Sequence, residues 1–149
     1  MNPVNKKEIP QRVSDGIPDT PGARLARIFY VDDDSFVRSS LARRLKRRGY
    51  QVREFESGDA VVACFRENEE LPDVIILDYR MPGMDGMETF HAIRSLSKNI
   101  PVILFTAYSG AINIEEVKRQ GILEVLTKHV ELENMIGVIQ SAMGGDRNP

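Results

Sequence analysis

From Arg27 onward, short apolar runs alternate with stretches whose apolar residues recur every three or four positions. Ile28 to Val31 is a strand-like run that ends in three aspartates, Asp32, Asp33 and Asp34. Phe36, Val37, Leu41 and Leu45 then recur at helical spacing, and Gly49 stops that helix. Asp34 or Ser35 can cap its start. Gln51 to Phe55 alternates like a half-buried strand. Ser57 opens a helix through Ala60, Val61, Cys64 and Phe65, and Leu71-Pro72 ends the segment. Val74 to Leu77 is continuously apolar, as in a strand covered on both faces. A helix is predicted from about Asp85 through Phe90 and Ile93 to Leu96, followed by a buried strand over Pro101 to Phe105. Ile114 and Val117 mark a short helix that Gly121 terminates, and Glu124 to Thr127 a last short strand. Leu132, Met135, Ile136 and Ile139 form the apolar stripe of a closing helix.

Five strand–helix units in succession predict an α/β fold, a parallel sheet with helices on both faces. Right-handed crossovers leave few topologies for it. Residues 1–24 do not share the pattern. Pro3, Pro10, Pro18 and Pro21 interrupt any helix there, and charges lie scattered among them. We expect a flexible tail over 1–24, one domain over 25–143 and a frayed or cut end over 144–149.

Composition narrows the function. The 149 residues are 42% hydrophobic and 28% charged, with a formal net charge of -2, so nothing demands a nucleic acid or an anionic membrane as partner. No apolar run approaches the roughly 20 residues that span a bilayer, and the N-terminus lacks the apolar core of a signal peptide. Cys64 is the single cysteine, which excludes an internal disulfide and fits a reducing compartment, the cytoplasm. It reads as a small packing residue. The basic run from Arg43 to Arg48 reads as the solvated face of a helix, with a binding patch as the functional alternative.

The chemistry gathers at strand ends. Asp32 and Asp33 follow the first strand, Asp78 ends the third, Thr106 the fourth, and Lys128 follows the fifth. Open parallel sheets bind ligands beyond the carboxyl ends of their strands, where strand order reverses. Three converging carboxylates repel, and either a divalent cation or a proton held at raised pKa relieves them. Oxygen ligands without clustered His or Cys favour magnesium over zinc. A lysine adds a point charge suited to a phosphoryl oxygen, and a threonine adds a neutral donor. Such a set suits phosphoryl transfer onto an aspartate. Asp34, by contrast, reads as a helix cap, and Asp85 and Gly86 as loop and helix-start residues.

The stretches VDDDSFVRSSL, DVIILDYRMPGMDG, PVILFTA and LTKH resemble the receiver domain of bacterial two-component response regulators, over about Arg27 to Met143. The resemblance implies a flavodoxin-like (βα)5 sheet in the order 2-1-3-4-5. It implies that Asp78 is the phosphoacceptor and that Asp32, Asp33, Asp78 and the backbone carbonyl of Arg80 hold Mg2+, with Asp33 the more direct of the acidic pair. Thr106 and Lys128 would contact the phosphoryl oxygens. The implied partner is a sensor histidine kinase or histidine phosphotransfer protein. A phosphorylation-linked dimer is compatible with it, and the output target is unknown. The domain would be a switch that catalyses only its own modification and slow hydrolysis.

The chain departs from the family pattern at two neighbouring positions. Val125 stands where an aromatic residue usually precedes the lysine by three, and His129 stands where a cis proline usually follows it. A non-proline cis bond costs roughly 2.5–4 kcal/mol, so the loop holds a strained bond or takes another path. Phosphorylation is expected to persist with an altered readout. Arg80 and Tyr108 are bulky at positions flanking the approach of water, which predicts slow hydrolysis. A phosphorylation-independent binding module of the same fold is the rival reading. A stand-alone regulator and a receiver cut from a hybrid kinase or larger regulator both fit the sequence.

Overall fold

The computed structural model describes residues 26–67, 70–107 and 109–144. The expectations for residues 1–24, Tyr108 and 145–149 lie outside them. The elements follow in strict alternation: β1 (Arg27–Val31), α1 (Ser35–Arg47), β2 (Gln51–Phe55), α2 (Gly58–Arg66), β3 (Val74–Asp78), α3 (Gly86–Leu96), β4 (Val102–Thr106), a 3-10 turn (Ser109–Ala111), α4 (Ile114–Arg119), β5 (Glu124–Thr127) and α5 (Leu132–Met143). All strand pairings are parallel, in the order β2-β1-β3-β4-β5. The expected fold and strand order are both found.

Alternation along each strand divides the core. Phe29, Val31, Ile75, Leu77, Val102 and Leu104 face α2, α3 and α4, where Val61, Phe65, Phe90, Ile93 and Val117 cover them. Ile28, Tyr30, Val74, Ile76, Ile103 and Phe105 face α1 and α5, where Leu41, Leu45, Met135 and Ile139 cover them. With both faces covered, β3 and β4 are buried along their whole length, which explains their apolar sequence up to the terminal Asp78 and Thr106. Each fully buried Ile or Leu contributes on the order of 1.5–3 kcal/mol.

Of the two cap candidates for α1, Asp34 is the one that caps, and the helices expected to open near Ser57 and Asp85 do so. The Asp34 side chain accepts from the N–H groups of Phe36 and Val37, and Ser57 caps α2 through Ala60 N. Asp85 and Glu88 form a reciprocal capping box on α3. Gly49 and Gly121, at φ 97° and 121°, end α1 and α4 in the left-handed region. Strand β2 departs from the half-buried alternation expected of it. Only Phe55 is buried and Val52 half-buried, because β2 is the sheet edge. Arg53 covers the rims of Phe29 and Phe55 there, its guanidinium 5.9 and 5.2 Å from the two ring centres.

Candidate functional site

Strand order reverses between β1 and β3, whose carboxyl ends therefore open side by side. Asp32 follows β1 and Asp78 ends β3. Both are buried, at 0% and 4% exposure, while Asp33 is exposed. One carboxylate oxygen from each of Asp32, Asp33 and Asp78 lies within 4.8 Å of the others, so the three form a cluster that can hold a metal ion. The donors are all oxygens, the set that suits a hard cation of the magnesium type.

Lys128 reaches this cluster from the loop after β5. Its Nζ lies 2.8 Å from Asp32 Oδ2 and 3.3 Å from Asp78 Oδ2. The loop is anchored by Lys128 N donating to the carbonyl of Thr106 at 2.7 Å and Val130 N to that of Thr127 at 3.0 Å. No cis peptide bond occurs among the described residues, so of the two paths left open at Lys128–His129 the loop takes the trans one. Its shape comes from a turn in which His129 N donates to Thr127 Oγ1 at 3.3 Å. Thr106 is buried at the end of β4, in register with Thr127. Arg80 is exposed in the loop after β3. That loop turns back sharply, with Gly86 N donating to the carbonyl of Tyr79 at 2.7 Å. A Cβ on Gly86 would stand 2.6 Å from the carbonyl oxygen of Asp78, so the close return of α3 to the strand end requires glycine.

Charge in a buried setting shifts the titrating groups. Burial, and then the Asp32 charge, push the Asp78 carboxyl up to about 7 despite the opposing pull of Lys128. Burial acts to lower Lys128, but its two carboxylate partners outweigh it and raise its pKa.

Two residues in the cluster escaped the sequence reading. The Tyr30 hydroxyl donates to Asp32 Oδ2 at 2.8 Å, and its pKa is raised strongly by burial and then by the Asp32 charge. The signal was strand alternation, which puts residues 30 and 32 on one face. Arg38, on the first turns of α1, donates to the backbone carbonyl of Asp32 and pairs with Glu54 at 3.3 Å. Of the bland readings, Cys64 is buried, and His91 is exposed with its ring nitrogen 2.8 Å from Gln120 Oε1. Within the basic run, Arg43, Arg44, Lys46 and Arg47 face solvent, while Arg48 pairs with Glu133 of α5.

Fold and site together define a doubly wound α/β domain with its polar chemistry at the switch point of the sheet. The model of the response regulator receiver domain matches residues 28–140. Protein PilH of Pseudomonas aeruginosa is 36% identical over 126 residues, spanning 81% of this chain and 100% of PilH. The DNA-binding transcriptional regulator NtrC of Proteus hauseri is 34% identical over 116 residues, 78% of this chain and 24% of NtrC. The chain thus spans about a quarter of the NtrC-type relatives it matches. Among solved structures, a response regulator receiver domain protein from Clostridium thermocellum superposes with a TM-score of 0.75 at 27% identity, over 83% of this chain and 98% of that one. FixJ-N superposes at 0.73 with 29% identity, over 81% and 95%. The chain belongs to the response regulator receiver domain family of two-component systems.

Proposed function

We propose that Asp78 accepts a phosphoryl group from a phosphohistidine of a sensor histidine kinase or histidine phosphotransfer protein, and that the modified domain changes its partner binding. The observation that carries this reading is the Lys128 ammonium held between Asp32 Oδ2 at 2.8 Å and Asp78 Oδ2 at 3.3 Å, beside a third carboxylate. In transfer, an Asp78 oxygen forms the P–O bond while the P–N bond to the donor imidazole breaks, and the electron pair leaves with the nitrogen. Little covalent work falls to the protein, so positioning and charge supply the rate. Lys128 already touches the acceptor carboxylate and needs only to exchange Asp32 for a phosphoryl oxygen. Thr106, at the neighbouring strand end, supplies the neutral donor.

Asp32, Asp33, Asp78 and the backbone carbonyl of Arg80 would hold Mg2+, which when bound supplies positive charge beside the reacting oxygens. Donor docking is assigned to the first turn of α1, where Phe36 is 80% exposed next to the acidic residues. An apolar side chain that open, at the rim of a charged site, suits the apolar part of a partner helix.

Slow hydrolysis of the phosphoryl group belongs to this reading through the bulk of the residue types at positions 80 and 108, arginine and tyrosine. Readout differs from that of receivers with an aromatic residue at position 125. Val125 packs half-buried against the core on the α2–α4 side and has no ring to swing. Among the described residues no helix is long and apolar enough to cross a membrane, and a cytoplasmic setting fits the single cysteine.

Incubation with acetyl phosphate and Mg2+, followed by intact mass, tests the reading. Wild type gains one phosphoryl group and Asp78→Asn gains none. No gain on folded wild type would favour a module that binds its partner without phosphorylation.

A further inference from the structure

We propose that Tyr30 is a positioning residue for Asp32, one of the three cation-holding carboxylates, its hydroxyl fixing which oxygen of Asp32 stays open at the site. The inference rests on the reading of Asp32 as a member of the magnesium-holding set.

Strand alternation makes Tyr30 the residue directly beneath Asp32 on the α1/α5 face of β1. Its side chain is 0% exposed. Its ring stands edge-on to Phe105, with centroids 6.1 Å apart, and β1 pairs on both sides, with β2 and β3. A phenol walled in this way has little freedom to swing, so its hydroxyl presents a fixed donor to Asp32 Oδ2 at 2.8 Å. A leucine or valine would fill the same core position and offer no such donor.

The acceptor count of Asp32 then has a consequence. A carboxylate offers about four lone-pair sites, two on each oxygen. Oδ2 accepts from Tyr30 and from Lys128, each at 2.8 Å, and both of its sites are taken. Among the described residues Oδ1 accepts an N–H only from Asp34, at 2.9 Å, which leaves it room for a further partner. The open lone pair of Asp32 is therefore on Oδ1, and the carboxylate cannot rotate to present the other oxygen without breaking the phenol contact.

The same contact bears on Lys128. If Lys128 turns fully toward Asp78 or a phosphoryl group on it, Oδ2 loses its ammonium. With Tyr30 present, a buried carboxylate oxygen keeps a donor. With phenylalanine there, Lys128 is its one remaining donor among the described residues, and departure strands a buried charge. Tyr30 thus both aims Asp32 and eases the release of Lys128.

Hydrogen bonds that orient a metal ligand are commonly worth 10–100-fold in affinity. Tyr30→Phe keeps the ring and removes only the donor. Mg2+ binding to wild type and Tyr30→Phe is compared by isothermal titration, with folding checked by thermal melts. Wild type is also labelled at tyrosine 13Cζ, with the Tyr30 resonance assigned from single Tyr→Phe variants. The expected result is roughly tenfold weaker Mg2+ binding by the variant, and a wild-type Tyr30 resonance that moves with the Mg2+ titration. Wild type that binds Mg2+ alongside a folded variant within twofold of it overturns the role of Tyr30 and leaves the site reading standing. Wild type that binds no Mg2+ overturns the site reading and this inference with it. Should Tyr30→Phe fail to fold, the wild-type resonance decides: saturation with Mg2+ supports the role, and a fixed resonance ends it.

Discussion

Asp78→Asn should stabilise the fold at slightly alkaline pH and lose that advantage in mild acid. The wild-type carboxyl is raised from 3.8 to about 7, by burial first and then by the Asp32 charge. A folded-state pKa above the unfolded one means that the folded protein holds its proton more tightly. The group's favourable contribution is therefore complete below about pH 4 and is lost progressively as pH rises through about 7. Between pH 5 and pH 8 the loss spans about two pH units at about 1.4 kcal/mol each, or roughly 3 kcal/mol at most. The amide of asparagine has nearly the same shape and does not titrate. Chemical unfolding of both proteins at pH 5 and pH 8, in EDTA, gives the difference between them. Histidine contributions common to both cancel in that difference. It should shift in favour of Asp78→Asn by about 1–3 kcal/mol between the two pH values. Adding Mg2+ at pH 8 should recover much of the deficit in wild type and little in the variant. A difference independent of pH, or a variant less stable than wild type at pH 8, would refute the argument that the acidic site is carried at a cost to the fold.

Other predictions follow from single contacts. Phe36→Ala should reduce kcat/KM for transfer from a histidine-kinase donor roughly tenfold, the scale of an interface anchor, and leave acetyl phosphate labelling unchanged; an equal drop with both donors would place the defect in the site instead. Gly86→Ala forces a Cβ to 2.6 Å from the Asp78 carbonyl oxygen and 2.8 Å from Tyr79 Cα. It should cost about 1–3 kcal/mol in urea unfolding, and a loss below about 0.5 kcal/mol would mean that the loop yields freely. Replacing Arg80 and Tyr108 together with small residues should speed loss of the phosphoryl group severalfold, followed as decay of the phosphorylated mass; an unchanged rate rules out crowding by these side chains. Amide shifts induced by a beryllofluoride mimic should be small over residues 107–130, and a large, spread response there would show that Val125 does not mute the readout.

The parts of this fold that were legible are those where one local rule has no competitor. Strands β3 and β4 are apolar up to their last residues, Asp78 and Thr106, because helices cover both their faces and a polar side chain inside them would need a buried partner. Asp34 was readable as a cap because it precedes a helical period, and Asp85 as a helix-start residue, although the capping box it forms with Glu88 emerged only in the structure. Strand β2 misled because edge position is a tertiary property. Its exposed Gln51, Arg53 and Glu54 depend on which strands pair, and local sequence does not carry that. Lys128–His129 was left with two paths because the choice depends on hydrogen bonds to Thr106 and Thr127, the former on another strand.

The candidate site divides along the same line. Its charged members announced themselves by ending apolar strands, where packing offers no reason for a carboxylate. Tyr30 and Arg38 were concealed because each satisfies a plainer rule: an aromatic inside an apolar strand reads as core, and an arginine on a helix as solvated surface. In the folded protein each does both things. The Tyr30 ring packs in the core while its hydroxyl reaches Asp32 at 2.8 Å, and Arg38 lies along α1 while its guanidinium holds the Asp32 carbonyl. Asp32, with no exposed surface, is thus supported by a donor from its own strand, one from its own loop, one from α1 and one from the loop after β5. Among the described residues Asp78 makes one ion pair, the longer contact to Lys128 at 3.3 Å, and its carboxyl, buried against that of Asp32, has a pKa near 7. The asymmetry follows the division of labour proposed for the two: a carboxylate that must stay put is tied down by four donors, and one that must react is held in check by a neighbouring carboxylate and a longer contact to the lysine.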